Sequence, residues 1–286
     1  MPPPSFPASP PSASPPSASP PSAVPDSGSG GAEPEGALPP AEFLGVARQV
    51  FGDRFELAVA YARLLVTDGV VRGLIGPREA PRIWERHLVN CALMSEIIPF
   101  GASVADVGSG AGLPGIVLAV ARPDLNITLV EPLARRTAFL DEAVDALGLS
   151  SSVTVVRGRA EEAIGGPAAG ADVVTARAVA PLDRLTGWCL PLARVGGRLL
   201  ALKGASAADE LAEHGAVIAG LGGGEPVLRL CGVGLIDPPT TVVEIVKERN
   251  VVPVRPKPGG KAEGSGRGSG AKAGGRGSGR GRSRRG

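Results

Sequence analysis

Residues 104–115 read VADVGSGAGLPG. A short apolar run, Val104 to Val107, carries one acid, Asp106, near its end. Gly108, Gly110 and Gly112 follow at alternate positions, and Pro114 suits the first turn of a helix. The pattern predicts a strand, a tight glycine turn and a helix N-terminus in immediate succession. Such a corner lets a bulky ligand approach the backbone closely and aims helix N–H groups at it.

Two cofactor classes suit this corner. Gly110, Gly112 and Gly115 fit G-x-G-x-x-G, the fingerprint of dinucleotides such as NAD. Asp106 points the other way. A carboxylate there accepts hydrogen bonds from a charged amino group or a hydroxyl and repels a pyrophosphate, which favours S-adenosylmethionine. A second acid, Glu131, ends the next apolar run, ITLVE (127–131), about 20 residues on, where either cofactor would use it to hold ribose hydroxyls. A glycine turn in a ligand-free α/β domain is the remaining alternative.

The two ends of the 286-residue chain differ from its middle. Residues 1–38 are mostly Pro, Ser and Ala, with PPSAS from Pro10, PPSAS from Pro15 and PPSAV from Pro20. Such a segment buries too little apolar area to offset its ordering entropy. It also lacks the basic start and apolar run of a secretory signal. From Arg255 the chain turns to Gly, Ser, Arg and Lys, with ten Lys/Arg against one acid, Glu263, a net of +9. The remainder carries 20 Lys/Arg against 27 Asp/Glu, a net of −7. A flexible Arg/Gly-rich tail at 255–286 attracts phosphate backbones without reading sequence. A merely solubilising tail has the same composition. Residues 39–254 are left as one folded unit, with a helical cap at 39–100 and a core at 101–250.

Three cysteines (Cys91, Cys189, Cys231) with no C-x-x-C fit a reduced, cytoplasmic protein. With only two histidines, His87 and His214, the chain offers little for a His/Cys metal site. No apolar run reaches the length of a membrane span.

Helical patterns cover Phe43 to Phe51, Phe55 to Val71 and Glu79 to Ile98, with Leu57, Tyr61, Leu64 and Leu65 on one face. Strand patterns then alternate with helices: Ser103 to Val107, Ile127 to Glu131, Val153 to Arg157, Asp172 to Ala176 and Arg198 to Leu202. This alternation implies a parallel sheet covered on both faces. Val227 to Cys231 and Val242 to Val246 lie close in sequence and predict a closing antiparallel pair. That ending resembles the seven-stranded, mainly parallel sheet of class I S-adenosylmethionine-dependent methyltransferases. On such an α/β sheet the ligand sits at the carboxyl ends of the strands, where Asp106, Glu131, Arg157 to Glu161, Arg177 and Lys203 would share one rim.

Separated segments carry a more specific likeness: RHLVNC (86–91), DVGSGAGLPGI (106–116), RRTAFL (135–140), GRAEE (158–162), TARAVAPL (175–182) and ALKG (201–204). Together they resemble the RsmG (GidB) family of bacterial 16S rRNA guanine-N7 methyltransferases, over roughly Phe43 to Lys247. Much of LVTDGVVRGLIGPRE (65–79) departs from the family pattern, where many relatives carry Asn-Leu-Thr. The resemblance implies methyl transfer from S-adenosylmethionine to a guanine N7 in a decoding-centre loop of 16S rRNA, on the small ribosomal subunit or its precursor. It maps cofactor contacts onto Gly108, Leu113, Ala160, Glu161 and Arg177. A small-molecule methyltransferase is the rival activity, and an NAD-dependent dehydrogenase the more distant one.

Individual residues carry competing readings. Arg177, in the apolar setting VVTARAVA, must find a partner or a ligand. It suits the methionyl carboxylate, the O6 of guanine, or an ion pair with Asp106 or Glu131. Lys203, ending an apolar strand, suits a phosphate or the base, or is a surface lysine. Arg86 and His87 suit a phosphate or substrate contact, or helix packing. Ala160 and Glu161 would flank the adenine, although Glu161 is also an ordinary helix-start acid. Asp237-Pro238-Pro239 resembles the signature of amino methyltransferases but lies in the late hairpin instead of after the fourth strand. Cys91 and Cys189 fall on helices, away from the place a nucleophilic cysteine would occupy.

Overall fold

A computed structural model describes residues 33–177, 180–204 and 206–251. The N-terminal repeat up to residue 32 and the basic tail at 255–286 lie outside the described residues.

The apolar runs form the strands at the places the alternation predicts, with the fifth starting earlier than expected, at Ala193. They are β1 (Ser103–Val107), β2 (Asn126–Glu131), β3 (Val153–Arg157), β4 (Ala171–Arg177), β5 (Ala193–Leu202), β6 (Val227–Cys231) and β7 (Thr240–Val246). They make one seven-stranded sheet in the order β3-β2-β1-β4-β5-β7-β6. β1 to β5 pair in parallel, and β7 enters antiparallel between β5 and β6. The chain first steps outward from β1 to β3, then returns to β4 on the other side of β1. This reversal opens a crevice at the carboxyl ends of β1 and β4.

Seven α-helices surround the sheet among the described residues: α1 (Ala41–Phe51), α2 (Phe55–Leu64), α3 (Val89–Leu93), α4 (Gly115–Ala121), α5 (Ala134–Ala146), α6 (Leu182–Cys189) and α7 (Ala207–Gly220). One apolar cluster joins the cap (Phe51, Tyr61, Trp84, Leu88) to α4, α5 and one face of the sheet. A second cluster packs α6 and α7 on the opposite face through Leu182, Leu185, Cys189 and Val243. The cap and the strand core therefore share one interior.

Two sequence expectations need correction. Residues 33–38 were expected in the N-terminal tail, yet they pack on the cap. Ala37 is fully buried and its carbonyl accepts the Trp84 indole N–H at 3.2 Å. Gly36 (φ +85°) allows this, because a Cβ there would lie 2.1 Å from the Ala80 carbonyl oxygen. The helical run Glu79 to Ile98 is also not one α-helix. A 3-10 turn at Ala80–Arg82 passes into a π-helical turn at Trp84–Leu88, then α3, then a 3-10 turn at Met94–Ile97. Pro81 supplies no backbone donor at its entry. π-turns recur at functional sites, and this one carries Arg86 and His87.

Candidate active site

The glycine corner closes on itself through its own backbone. Gly108 and Ser109 donate their N–H groups to the Val130 carbonyl at 2.8 and 3.2 Å, and Gly112 and Leu113 donate theirs to Ser109 at 2.7 and 3.1 Å. Gly108, Gly110 and Gly112 all have positive φ, 71°, 60° and 93°, a region costly for any residue with a Cβ. Leu113 is buried behind the loop and shapes it from below. Pro114, expected in the first helical turn, sits at the N-cap, and α4 begins at Gly115.

Asp106 occupies a different place from the one expected. Its carboxylate is fully buried, so the sequence expectation of direct contact with a ligand amine is not what this geometry provides. One oxygen accepts the Gly115 N–H at 3.1 Å, and the other accepts the hydroxyl of Thr175, its register partner on β4, at 3.1 Å. Asp106 thus caps α4 from below and sends its negative charge up into the loop. The dinucleotide reading meets an obstacle here. The helix end a pyrophosphate would bind already holds the chain's own carboxylate.

Burial pushes the Asp106 carboxyl up to about 6, against the opposing pull of its hydrogen bonds to Gly115 and Thr175 and of the Arg177 guanidinium. The folded value lies above the unfolded one, so ionisation opposes folding. That penalty is absent below about pH 4, grows as the pH rises, and is complete above about pH 6. Asp106→Asn removes it, since an amide can still accept from Gly115 and meet the Thr175 hydroxyl. The variant is expected to gain roughly 1–3 kcal/mol of stability at pH 8 and little at pH 4, while its affinity for a cationic cofactor falls. Melting curves at the two pH values with titration calorimetry check this. An equal loss of stability at both would contradict it.

Glu131, at the end of β2, is 1% exposed. It accepts N–H groups from Gly110 and Leu133, both at 3.0 Å, with the Arg136 guanidinium at 3.6 Å. It therefore braces the loop from the end of β2. The only tyrosine braces it from the cap: the buried Tyr61 hydroxyl donates to the Ala111 carbonyl at 2.6 Å. Beyond Glu131 lies a largely apolar slot of about 150 Å³, lined by Val107, Gly108, Val130, Pro132, Gly158 to Glu161 and Trp188. Ala160 forms its wall and Glu161 is exposed at its rim. Trp188, reached from α6, was not singled out by sequence reasoning; its signal is a lone tryptophan on an amphipathic helix. The Arg184 guanidinium lies 5.1 Å from its ring centroid.

Arg177 ends β4. Its partner is neither Asp106 nor Glu131 but His87, whose Nδ1 accepts an N–H from the guanidinium. His87 Nε2 lies 3.2 Å from Glu79, and the other oxygen of Glu79 accepts from Arg86 at 2.8 Å. Burial and the neighbouring Arg177 charge lower His87 to about 4, so the ring is neutral near pH 7. Arg86 and His87 are thus brought into one network with Arg177, and Glu79, in the sequence only the start of a helical pattern, joins them.

Lys203 takes a different place from the expected contact with base or phosphate. Its Nζ donates to Glu210 at 2.7 Å and to the Ala180 carbonyl at 2.9 Å, and its side chain is 8% exposed. A lysine so held ties the segment after β4 to α7. Cys91, Cys189 and Cys231 are buried free thiols whose pKa burial raises, as expected of inert cysteines.

The donor set fits S-adenosylmethionine. A buried acid ends β2 beside the loop, a cradle of positive-φ glycines follows β1, an apolar slot of a size for a flat ring lies next to them, and a guanidinium stands on the adjoining strand. Residues 54–229 match the family model described as GidB, rRNA small subunit methyltransferase G. The chain belongs to this family. It is 68% identical over 233 residues to the ribosomal RNA small subunit methyltransferase G of Salinispora tropica, covering 80% of this chain and 96% of that one. It is 59% identical over 214 residues to the Rhodococcus jostii protein of the same name, covering 74% and 93%. This member of the methyltransferase G family is therefore an S-adenosylmethionine-dependent enzyme. Among the described residues no helix is long and apolar enough to cross a membrane, and no cluster of three or more His, Cys, Asp or Glu could hold a metal ion.

Proposed function

We propose that the enzyme transfers a methyl group to N7 of a guanine in a decoding-centre loop of 16S rRNA, acting in the cytoplasm on the small ribosomal subunit or its precursor. The names of the relatives support the RNA class. The observation that supports the atom is that, among the described residues, the histidine, the buried acid and the cysteines around the site are all engaged or sealed, while Glu161, exposed at the rim, stands at the apolar slot. His87 is taken up between Arg177 and Glu79, Asp106 is buried under the loop, and the cysteines are sealed in the core. Guanine N7 has an in-plane lone pair and needs no base.

When bound, S-adenosylmethionine supplies an electrophilic methyl group on a sulfonium. The residues then align and shield. Gly108, Gly110 and Gly112 let the ligand approach the backbone, Glu131 faces the ribose, and Ala160 and Glu161 flank the adenine. Arg177 pairs with the methionyl carboxylate, because a guanidinium on guanine O6 would oppose the positive charge the base acquires. The buried Asp106 charge favours a cationic ligand. Holding nucleophile, methyl and sulfur in line supplies most of the acceleration. Lys203 holds the substrate-side segment, and Arg86 offers a phosphate contact on the cap.

The test is transfer of labelled methyl from S-adenosylmethionine to small subunits from cells lacking this protein. Label recovered as 7-methylguanosine in 16S rRNA is the expected result. Cofactor binding without label in RNA would return the small-molecule reading.

The basic tail is assigned to RNA contact. Removing residues 255–286, net +9, is expected to weaken RNA binding and flatten its salt dependence, since each phosphate contact contributes about 0.7–0.9 to the log–log slope. An unchanged slope would leave the tail without a role in RNA binding.

A further inference from the structure

We propose that Glu79 is a positioning residue for Arg177, acting through the tautomer of His87. The proposal rests on the reading of Arg177 as a cofactor ligand. A guanidinium has only donors, so His87 Nδ1 must be the acceptor in their contact. The ring proton must then sit on Nε2, where Glu79 lies 3.2 Å away to accept it. Without that acceptor the neutral ring is free to carry its proton on Nδ1, and two donors would face each other. Arg177 would then leave its station at the end of β4. The hydrogen bond made at one ring nitrogen commonly selects a histidine tautomer in this way.

The arrangement joins two nearby positions of the cap to a strand far along the sequence. Glu79 precedes the 3-10 turn, His87 lies on the π-turn, and Arg177 is 90 residues further on. The cap thereby orients a residue of the strand core, where the register sets the end of β4 beside the glycine loop. Glu79 also holds Arg86, so a loss on removing Glu79 has two sources that must be separated.

The asparagine variant of His87 separates them. Asparagine carries its carbonyl oxygen on Cγ, as histidine carries Nδ1, and has no tautomers. His87→Asn therefore keeps an acceptor for Arg177 and makes Glu79 unnecessary for it. His87→Gln moves the polar atoms one bond further out. The measurement is the KM for S-adenosylmethionine and kcat in methyl transfer to small subunits, with direct cofactor binding alongside.

In the native background Glu79→Ala is expected to raise KM and Kd for the cofactor about five- to tenfold, the scale of one hydrogen bond. In the His87→Asn background it is expected to change them less than twofold. His87→Asn is expected to lose less affinity than His87→Gln, and Arg86→Ala to leave cofactor affinity near native. Equal losses from Glu79→Ala in both backgrounds, or a His87→Gln variant as good as His87→Asn, would overturn the proposal. If Arg177→Ala itself binds the cofactor normally, the underlying reading of Arg177 fails, which is a separate result.

Discussion

Arg177→Ala is expected to raise the Kd for S-adenosylmethionine by roughly 10- to 100-fold, the measured scale for a hydrogen bond to a charged group. The fold should survive, because Arg177 is only half-buried and its described partner is a neutral histidine. Arg177→Lys keeps the charge without the fork and should fall between. Methylthioadenosine sharpens the test, since it keeps the adenosine and sulfur but has no carboxylate. Its affinity should be the same for native and variant proteins. A loss of turnover with both affinities unchanged would move Arg177 from the cofactor to the base.

The glycines of the loop are expected to separate sharply when each is replaced by alanine. A Cβ on Gly115 would lie 2.3 Å from Leu129 Cδ2 and 2.7 Å from Asp106 Oδ2. Neither can retreat, because Leu129 is sealed in the core and Asp106 is held by two hydrogen bonds. Gly115→Ala should cost about 3 kcal/mol or more in folding stability, at or beyond the upper end for overpacking, and abolish cofactor binding. Gly112→Ala meets Ile116 at 2.6 Å and the Tyr61 hydroxyl at 2.8 Å at a φ of +93°, so packing and backbone strain add. Gly110→Ala meets nothing of the protein closer than 3.8 Å. Only the left-handed backbone penalty of about 1–2 kcal/mol applies there, so the variant should fold while binding the cofactor poorly. Thermal melts of the three, with and without S-adenosylmethionine, read both effects. A Gly110→Ala protein as unstable as Gly115→Ala would show that the packing account is wrong.

The parts of the site that were legible in the sequence are those written in local chemistry. Glycines at alternate positions after an apolar run imply positive φ and close approach, and all three adopt positive φ. An acid ending the second strand, Glu131, lies beside the loop because parallel register carries the end of β2 next to that of β1. The destination of Asp106 was not legible. Its side chain faces either the ligand or the helix behind it according to the strand's pleat and the start of α4, and neither is encoded within a few residues. Trp188 and Tyr61 were also hidden, since an aromatic residue on an apolar helical face carries no mark of what it packs against.

By itself the sequence determined the element order, the sheet with its closing antiparallel pair, the glycine corner and the family. Each follows from patterns that repeat within about a dozen residues or from motifs read in combination. Only the tertiary structure decided which charged groups meet. Arg177 chose His87 over Asp106 and Glu131, Lys203 chose Glu210 over the substrate side, and Glu79 came to stand behind the histidine. The physical reason is the range of the interactions. Backbone conformation responds to near neighbours, whereas a half-buried charge takes whichever partner the packing of distant segments brings within about 3 Å.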